Sequence, residues 1–128
     1  MKNKKPFNVK RGSVWLADLG SEDQVCGSEQ AGVRPVAITQ SNRQNEKSPT
    51  VIVAIITSQI KKEKMDCHVI LPKVKGLPKQ SMVCCEQRRT IDKQRLLSYC
   101  CTLDKETMRK VTRACHKAEE ADKESRNW

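Results

Sequence analysis

The feature that most constrains the fold is the apolar run VIVAII at positions 51–56, because it is the longest such run in the chain and has only the length of a β-strand. Every position in it is apolar, which is typical of a strand buried on both faces. Shorter strand-like runs occur before and after it, separated by loops rich in glycine, proline, serine and charge. We therefore predict strands at six positions: 13–18, 35–41, 50–59, 67–71, 81–90 and 97–102.

The period of the apolar residues changes after the last of these strands. One helical stripe collects them: Leu103, Met108, Val111, Cys115 and Ala118. Asp104 is placed to cap the N-terminus of this helix. We predict a short helical turn within 91–96 and a turn region at 41–49. Several short strands followed by one helix indicate a mainly β (α+β) fold, a small barrel-like domain with an appended helix.

Length and charge narrow the class of protein. A chain of 128 residues has the size of one domain and can bury an apolar core without disulfides. Its 25 lysines and arginines against 15 aspartates and glutamates give a formal net charge of +10. A polyanion such as nucleic acid is therefore the first partner to consider.

The ends of the chain differ in composition from its middle. We predict a mobile basic arm at 1–9, one folded domain at 10–118 and a frayed tail at 119–128. The charges of MKNKKPFNVK are not followed by the apolar segment of a signal peptide. No apolar run approaches the roughly 20 residues that span a bilayer. We expect a cytoplasmic protein that does not associate with membranes.

The seven cysteines are interpreted as reduced thiols that pack like small apolar residues. Their number is odd, and no export signal accompanies them. Cys84-Cys85 and Cys100-Cys101 are adjacent pairs, and neighbours on a strand point to opposite faces, so neither pair chelates one ion. There is no C-x-x-C spacing. We predict no metal site, although clustering in the folded chain leaves zinc open.

Six sequence blocks occur in a characteristic order: RGSVWLADL, GSEQAGVRPV, SPTVIVAIITSQ, CHVIL, GLPKQSMVCCEQRRTIDKQRL and LDKETMRKV. From about Lys10 to Ala118 they closely resemble the MazF/PemK toxins of bacterial type II toxin–antitoxin modules. The resemblance implies a compact SH3-like (CcdB/MazF-like) β barrel with a C-terminal helix that forms a homodimer. Asp66-Cys67 departs from the Pro-Thr pair that is common in the family before the His-Val strand.

The activity that the resemblance implies is that of an endoribonuclease, an mRNA interferase that inhibits translation and growth. Such toxins cleave single-stranded RNA at short sequences, without metal or another cofactor. Attack by the 2′-hydroxyl leaves a 2′,3′-cyclic phosphate (or 3′-phosphate) and a 5′-hydroxyl end. The implied partners are mRNA and a cognate antitoxin whose flexible acidic C-terminal segment blocks the RNA groove.

The resemblance also assigns candidate residues. Arg34 and Thr57 match the family's catalytic arginine and threonine. Glu29 belongs to the loop that lines the site and is a candidate partner for Arg34 or a helper in proton transfer. The RNA-binding candidates are Arg11, Ser28, Gln30, Met65, Ser81, Glu86 and Gln87.

The chemistry of these residue types fits cleavage of a phosphodiester. The reaction needs a proton acceptor, a proton donor and stabilisation of the phosphorane charge. The Arg34 guanidinium matches phosphate oxygens, and the Thr57 hydroxyl can donate a hydrogen bond. Without the family context, Arg34 would be interpreted as a strand-end ion pair and Thr57 as an ordinary strand residue. The two histidines are interpreted as structural (His68) and as exposed on the helix (His116).

Two alternative functions remain open at the level of the sequence. The first is a gyrase-poisoning protein on the same scaffold, as in the related CcdB toxins. The second is a barrel that only binds RNA or an antitoxin. The blocks GSEQAGVRP and IITSQ, which contain Arg34 and Thr57, favour the endoribonuclease.

Overall fold

The computed structural model describes residues 8–21, 31–62 and 64–120. Within them the chain forms six strands: β1 (Ser13–Asp18), β2 (Val33–Ile38), β3 (Thr50–Thr57), β4 (His68–Ile70), β5 (Met82–Asp92) and β6 (Leu96–Thr102). The two α-helices are α1 (Asn42–Lys47) and α2 (Lys105–Glu119), and a short 3-10 helix (Lys93–Arg95) joins β5 to β6.

All six strands form one antiparallel sheet in the order β4-β5-β3-β2-β1-β6. β3 lies inside the sheet between β2 and β5, and its apolar residues are buried except for Ile52, which is exposed. The prediction of a mainly β fold with a C-terminal helix is confirmed. None of the described helices is long and apolar enough to cross a membrane.

The core consists of two apolar clusters. One includes Val36, Ile38, Val53 and Ile55 from the middle strands and Trp15 from β1. The other packs against α2, which contributes buried Val111 and Ala114 and buries Thr107 beside them. The helix is amphipathic because its apolar residues recur at helical spacing, as the sequence predicts. Ala118, which we placed on this stripe, is exposed near the last turn.

The loop between β4 and β5 brings the two edges of the sheet together. Its Leu71 and Leu77 belong to the same apolar cluster as Cys101 on β6 and Leu103 just after it. At Gly76 the backbone has φ of +101°, and a Cβ built there would lie 2.2 Å from the carbonyl oxygen of Cys100. Only glycine allows both this backbone conformation and this close approach.

The structure corrects two parts of the sequence prediction. β2 begins at Val33 instead of 35, so Arg34 lies inside the strand and not before it. The predicted turn at 41–49 contains helix α1, whose N-terminus is capped by Ser41 accepting from the Gln44 amide at 3.3 Å. The buried Asn45 side chain donates to the Gln40 carbonyl at 3.1 Å, which attaches the helix to the segment that follows β2.

The six cysteines in the described ranges are free thiols, as interpreted from the sequence. Four of them are buried: Cys67, Cys84, Cys85 and Cys101. Cys100 and Cys115 are half-buried. Residues 1–7 of the predicted arm and residues 121–128 of the predicted tail lie outside the described residues. Glu119, the first residue of the predicted tail, is the last residue of α2.

Candidate active site

The register of the sheet makes the two predicted catalytic residues neighbours. Val36 on β2 pairs with Ile55 on β3. Beyond this pair, strand alternation puts Arg34 and Thr57, each two residues further on, on the face that carries Val36 and Ile55. Arg34 and Thr57 are both half-buried. The guanidinium and the hydroxyl are therefore carried by neighbouring strands, towards the same end of the sheet.

Local hydrogen bonds orient both side chains. The Arg34 Nε donates to the Ala31 carbonyl at 2.9 Å, which fixes the plane of the guanidinium. Its two terminal nitrogens carry the N–H groups that fit a pair of phosphate oxygens. The Thr57 Oγ1 accepts from the Gln59 amide at 3.0 Å, which leaves its O–H to act as a donor.

A bulge of three residues in β5 places Glu86 and Gln87 beside β3 at Ala54 and Ile55. Ala54 pairs with Arg88, but the next residue, Ile55, pairs with Cys84. Residues 85–87 therefore have no partner position on β3, and the strand bends outward there. Glu86 is exposed and Gln87 is half-buried, so both side chains reach the surface.

His68 links this bulge to the segment that carries Met65. Its Nε2 lies 2.9 Å from Glu86 Oε2, and its Nδ1 lies 2.8 Å from the Lys62 carbonyl. Burial lowers the pKa of His68, but the hydrogen bonds to Glu86 and to the Lys62 carbonyl outweigh it and raise the pKa above 6.5. Met65 is exposed, and its carbonyl accepts from the His68 amide at 3.0 Å. His68 thus has hydrogen-bond partners at both ring nitrogens, as expected for a structural histidine.

Ser81 lies next to this region, but its hydroxyl faces the protein. Its neighbour Met82 pairs with both Thr57 and Ile70 across the sheet. Ser81 itself is 5% exposed, and its Oγ donates to the Lys79 carbonyl at 2.9 Å. Its backbone carbonyl accepts from Leu71 at 2.9 Å. In this arrangement the side chain shapes the loop between β4 and β5.

Arg11 is not brought to Arg34. It lies at the opposite end of β2, because the amide of the adjacent Gly12 bonds to the carbonyl of Ile38, the last residue of that strand. The Arg11 guanidinium bonds to the Thr39 carbonyl and to Thr112 Oγ1 on α2. In this structure Arg11 ties α2 to the sheet. Ser28, Glu29 and Gln30 lie outside the described residues.

The sequence analysis did not predict that Cys85 and Cys115 lie close together in the folded chain. Cys115 lines a surface groove with Arg11 and Arg88, and the buried Cys85 Sγ donates to the Val111 carbonyl at 3.8 Å. Interaction with the Cys85 side chain lowers the pKa of Cys115 to about 7; burial opposes the shift, and the two guanidiniums add to it. Interaction with Cys115 and burial raise the pKa of Cys85. The two residues are far apart in sequence, so no local pattern indicated the pair.

Comparison with solved structures shows which class of proteins shares this fold. Toxin MazF-mt6 of Mycobacterium tuberculosis is similar in structure, with a TM-score of 0.70 and 24% identity over 86% of this chain and 98% of that chain. An endoribonuclease in complex with its cognate antitoxin, from a mycobacterial species, gives a TM-score of 0.71 and 23% identity over 86% of this chain and 93% of that one. The fold is therefore that of these small bacterial toxins.

The sequence comparisons then define the family. Endoribonuclease EndoA of Bacillus subtilis (strain 168) is 51% identical over 107 residues, which are 83% of this chain and 90% of that protein. Residues 10–118 match the model of the PemK-like, MazF-like toxins of type II toxin–antitoxin systems. The chain belongs to this toxin family, as its sequence blocks predict.

Proposed function

We propose that this protein is the toxin of a type II toxin–antitoxin module and acts as an endoribonuclease on single-stranded RNA. The observation that carries the proposal is that Arg34 and Thr57 lie on neighbouring strands, β2 and β3, in a chain that is 51% identical to a protein named an endoribonuclease. The gyrase-poisoning and binding-only alternatives are less favoured because neither requires this pair.

The proposed reaction uses the RNA's own 2′-hydroxyl as nucleophile. Its oxygen bonds to the adjacent phosphorus while the bond from phosphorus to the 5′ oxygen breaks. The 2′ oxygen loses a proton and the leaving 5′ oxygen gains one, which gives a 2′,3′-cyclic phosphate and a 5′-hydroxyl end. Arg34 stabilises the charge on the phosphorane oxygens, Thr57 donates a hydrogen bond to the same group, and Glu29 assists proton transfer.

RNA bases are proposed to contact the surface formed by Met65, Glu86 and Gln87. The bulge of β5 that carries Glu86 and Gln87 lies next to Ala54 and Ile55 of β3, and the side chains of this surface include a carboxylate acceptor, an amide and a flexible apolar group. Bases of single-stranded RNA expose their hydrogen-bonding edges to such groups. The net charge of +10 adds attraction to the phosphate backbone that does not depend on sequence.

The proposed partners follow from the family. One similar structure is an endoribonuclease in complex with its cognate antitoxin, and another is a MazE–MazF complex of Deinococcus radiodurans. We propose that this toxin forms a homodimer in the cytoplasm and is inhibited by an antitoxin with an acidic C-terminal segment. Such a segment would compete with RNA for the positive charge around Arg34.

Cleavage of a long unstructured RNA by the purified protein in EDTA tests the proposal directly. We expect cuts at one short sequence motif, with a 5′-hydroxyl at each new end. A folded protein that leaves several different RNAs intact would contradict the proposal and favour gyrase poisoning or simple binding.

A further inference from the structure

Three side chains of metal-ligand type converge where β4 begins and β5 bulges. Cys67, His68 and Glu86 each contribute one ligand atom, and every pair of these atoms lies within 4.8 Å. We call them the Cys-His-Glu cluster. Cys67 is 5% exposed, the His68 side chain is 6% exposed and the Glu86 side chain is 36% exposed. Two ligands are thus shielded from water, while the third side faces solvent and allows an ion to enter.

The carboxylate of Glu86 is the point on which the other two groups converge. His68 Nε2 lies 2.9 Å from Glu86 Oε2, and the Cys67 Sγ lies within 4.8 Å of the same carboxylate. Zinc bonds of about 2.0 to 2.3 Å place tetrahedral ligands roughly 3.3 to 3.8 Å apart. Small side-chain rotations would therefore close the cluster around an ion. Thiolate, imidazole and carboxylate together are a donor set that suits zinc.

The outer hydrogen bonds already orient the histidine as a ligand. A metal-binding imidazole donates its second N–H to a carbonyl or carboxylate, which fixes the tautomer and the plane of the ring. Here Nδ1 lies 2.8 Å from the Lys62 carbonyl, so Nε2 is directed at Glu86. Lys62 has φ of +53° and its carbonyl also accepts from the Met65 amide at 3.1 Å. The acceptor is therefore held in place by its own turn.

The backbone fixes Cys67 against the bulge. The amide of Cys85 donates to the Cys67 carbonyl at 2.9 Å, which ties the start of β4 to the residue before Glu86. An incoming ion displaces the thiol proton to solvent, because the thiolate is the ligand form of cysteine. Thiolate and carboxylate then balance two positive charges, which offsets the repulsion from the Lys62 ammonium.

From this geometry we propose that Cys67, His68 and Glu86 bind a divalent transition-metal ion, with zinc as the preferred ion. Three protein ligands leave a fourth position for water. The ion would not take part in RNA cleavage. One consequence does rest on the proposed function: an ion held by Glu86 removes a carboxylate from the proposed RNA surface and should reduce cleavage.

Cobalt(II) is the probe that tests the site, because a thiolate bound to it gives a charge-transfer absorption that oxygen and nitrogen ligands do not. The full-length protein, kept reduced and freed of metal, is titrated with cobalt chloride. We expect this absorption together with the d–d bands of a four-coordinate ion, and we expect added zinc to abolish both. Absence of the charge-transfer band in the wild-type protein would overturn the proposal.

Matched variants identify the ligands. Cys67→Ser should remove the charge-transfer band, whereas Cys84→Ser, which changes a buried cysteine paired with His68 across β4 and β5, should keep it. Glu86→Gln alters an exposed side chain and serves even if Cys67→Ser fails to fold; it should weaken cobalt binding at least about tenfold. An unchanged affinity in Glu86→Gln, or a band that persists in folded Cys67→Ser, refutes the site. A protein that binds cobalt but cuts no RNA when it is freed of metal would refute the proposed function and leave the metal site intact.

Discussion

At the scale of single residues, Arg34 and Thr57 depend on strand register for their proposed role. Each has an ordinary local hydrogen bond, to Ala31 and Gln59, that many strand residues could make. What distinguishes them is their position on neighbouring strands, each two residues beyond the pair formed by Val36 and Ile55. Their chemistry is therefore a property of the pair.

Variants of this pair should separate charge from shape. We expect Arg34→Ala to slow RNA cleavage at least about 100-fold, because it removes donors to the developing phosphorane charge. Arg34→Lys keeps the charge but loses the planar fork and should also be strongly impaired. Thr57→Val is nearly isosteric and should lose about 10-fold or more through its missing hydroxyl. Single-turnover cleavage of a mapped RNA site measures all three.

The control for charge is Arg43→Ala, which removes an exposed arginine from α1 near the opposite end of β2. It should leave the cleavage rate within about twofold of the wild type, since exposed substitutions away from a site have small effects. Equal losses in Arg34→Ala and Arg43→Ala would show that general charge, and not the proposed contact, supports cleavage.

Cys115 should be the most reactive of the described cysteines at neutral pH. Its lowered pKa, about 7, means that the thiolate is half-formed near pH 7 and is lost as the pH falls below that value. Cys100 is the matched control, because it is also half-buried but burial raises its pKa. Mass spectrometry of iodoacetamide adducts between about pH 6 and 9 gives both profiles. Equal rates for Cys100 and Cys115 at pH 7 would contradict the assignment.

At the scale of elements, α2 is defined by its N-terminus as well as by its apolar stripe. The Asp104 carboxylate accepts from the Thr107 amide at 2.8 Å, as its position before the stripe predicts. This hydrogen bond, followed by one from the Thr107 side chain, lowers the pKa of Asp104 below 3.8. The cap therefore stabilises the folded state fully above pH 3.8, and its contribution is lost as the pH falls through the lowered value.

Substitution of this cap has a graded expected outcome. Asp104→Ala should lower the urea midpoint of unfolding at pH 7. Asp104→Asn should lower the midpoint less, because asparagine is also a good N-cap. The difference between wild type and Asp104→Ala should shrink as the pH is lowered below 3.8. Denaturation curves at about pH 7 and pH 3 measure it, and an equal difference at both would count against the charged cap.

The elements also show where sequence reasoning reaches its limit. Alternation and apolar runs predicted the strands, because side-chain burial has a period of two on a half-buried strand. Helix α1 was missed, since its stability comes from the buried hydrogen bonds of Asn45 and not from an apolar stripe. The Cys-His-Glu cluster was missed for a related reason. The bulge at 85–87 that carries Glu86 to His68 is a register shift, and register is set by the whole sheet.

The candidate site was predictable only in part. The resemblance supplied Arg34 and Thr57 by position, and the structure adds that their strands are neighbours. The resemblance could not predict the hydrogen-bond partners of Arg11, which was assigned to the RNA-binding residues. Its guanidinium bonds to Thr39 and Thr112 at the far end of β2, contacts that require α2 to be packed on the sheet.

At the scale of the whole molecule, two glycines with similar backbones should differ sharply in their tolerance of substitution. Gly32 has φ of +82° and none of the described residues within 4 Å of an added Cβ, whereas Gly76 would place its Cβ 2.2 Å from the Cys100 carbonyl oxygen. Gly32→Ala should lower the free energy of unfolding by about 1 to 2 kcal/mol through backbone strain. Gly76→Ala should cost about 1 to 3 kcal/mol more, because β6 must shift away from the loop.

Urea denaturation of both variants at one pH measures this difference. The comparison tests whether the loop between β4 and β5 truly joins the two edges of the sheet. Equal destabilisation by the two substitutions would show that the contact between Gly76 and Cys100 does not help to hold the two edges of the sheet together.

The pairing of β1 with β6 bears on when the toxin becomes active during its own synthesis. Val14, which is synthesised early, pairs with Cys101 near the end of the sheet-forming sequence. Every residue of β3 pairs with a residue of β5. A nascent chain that has emerged only as far as Thr57 already contains both proposed catalytic residues, yet it lacks β5, which borders β3, and β6, which borders β1. The ribosome must add residues through Thr102 before the sheet can close. A partly translated toxin should therefore spare the message that encodes it.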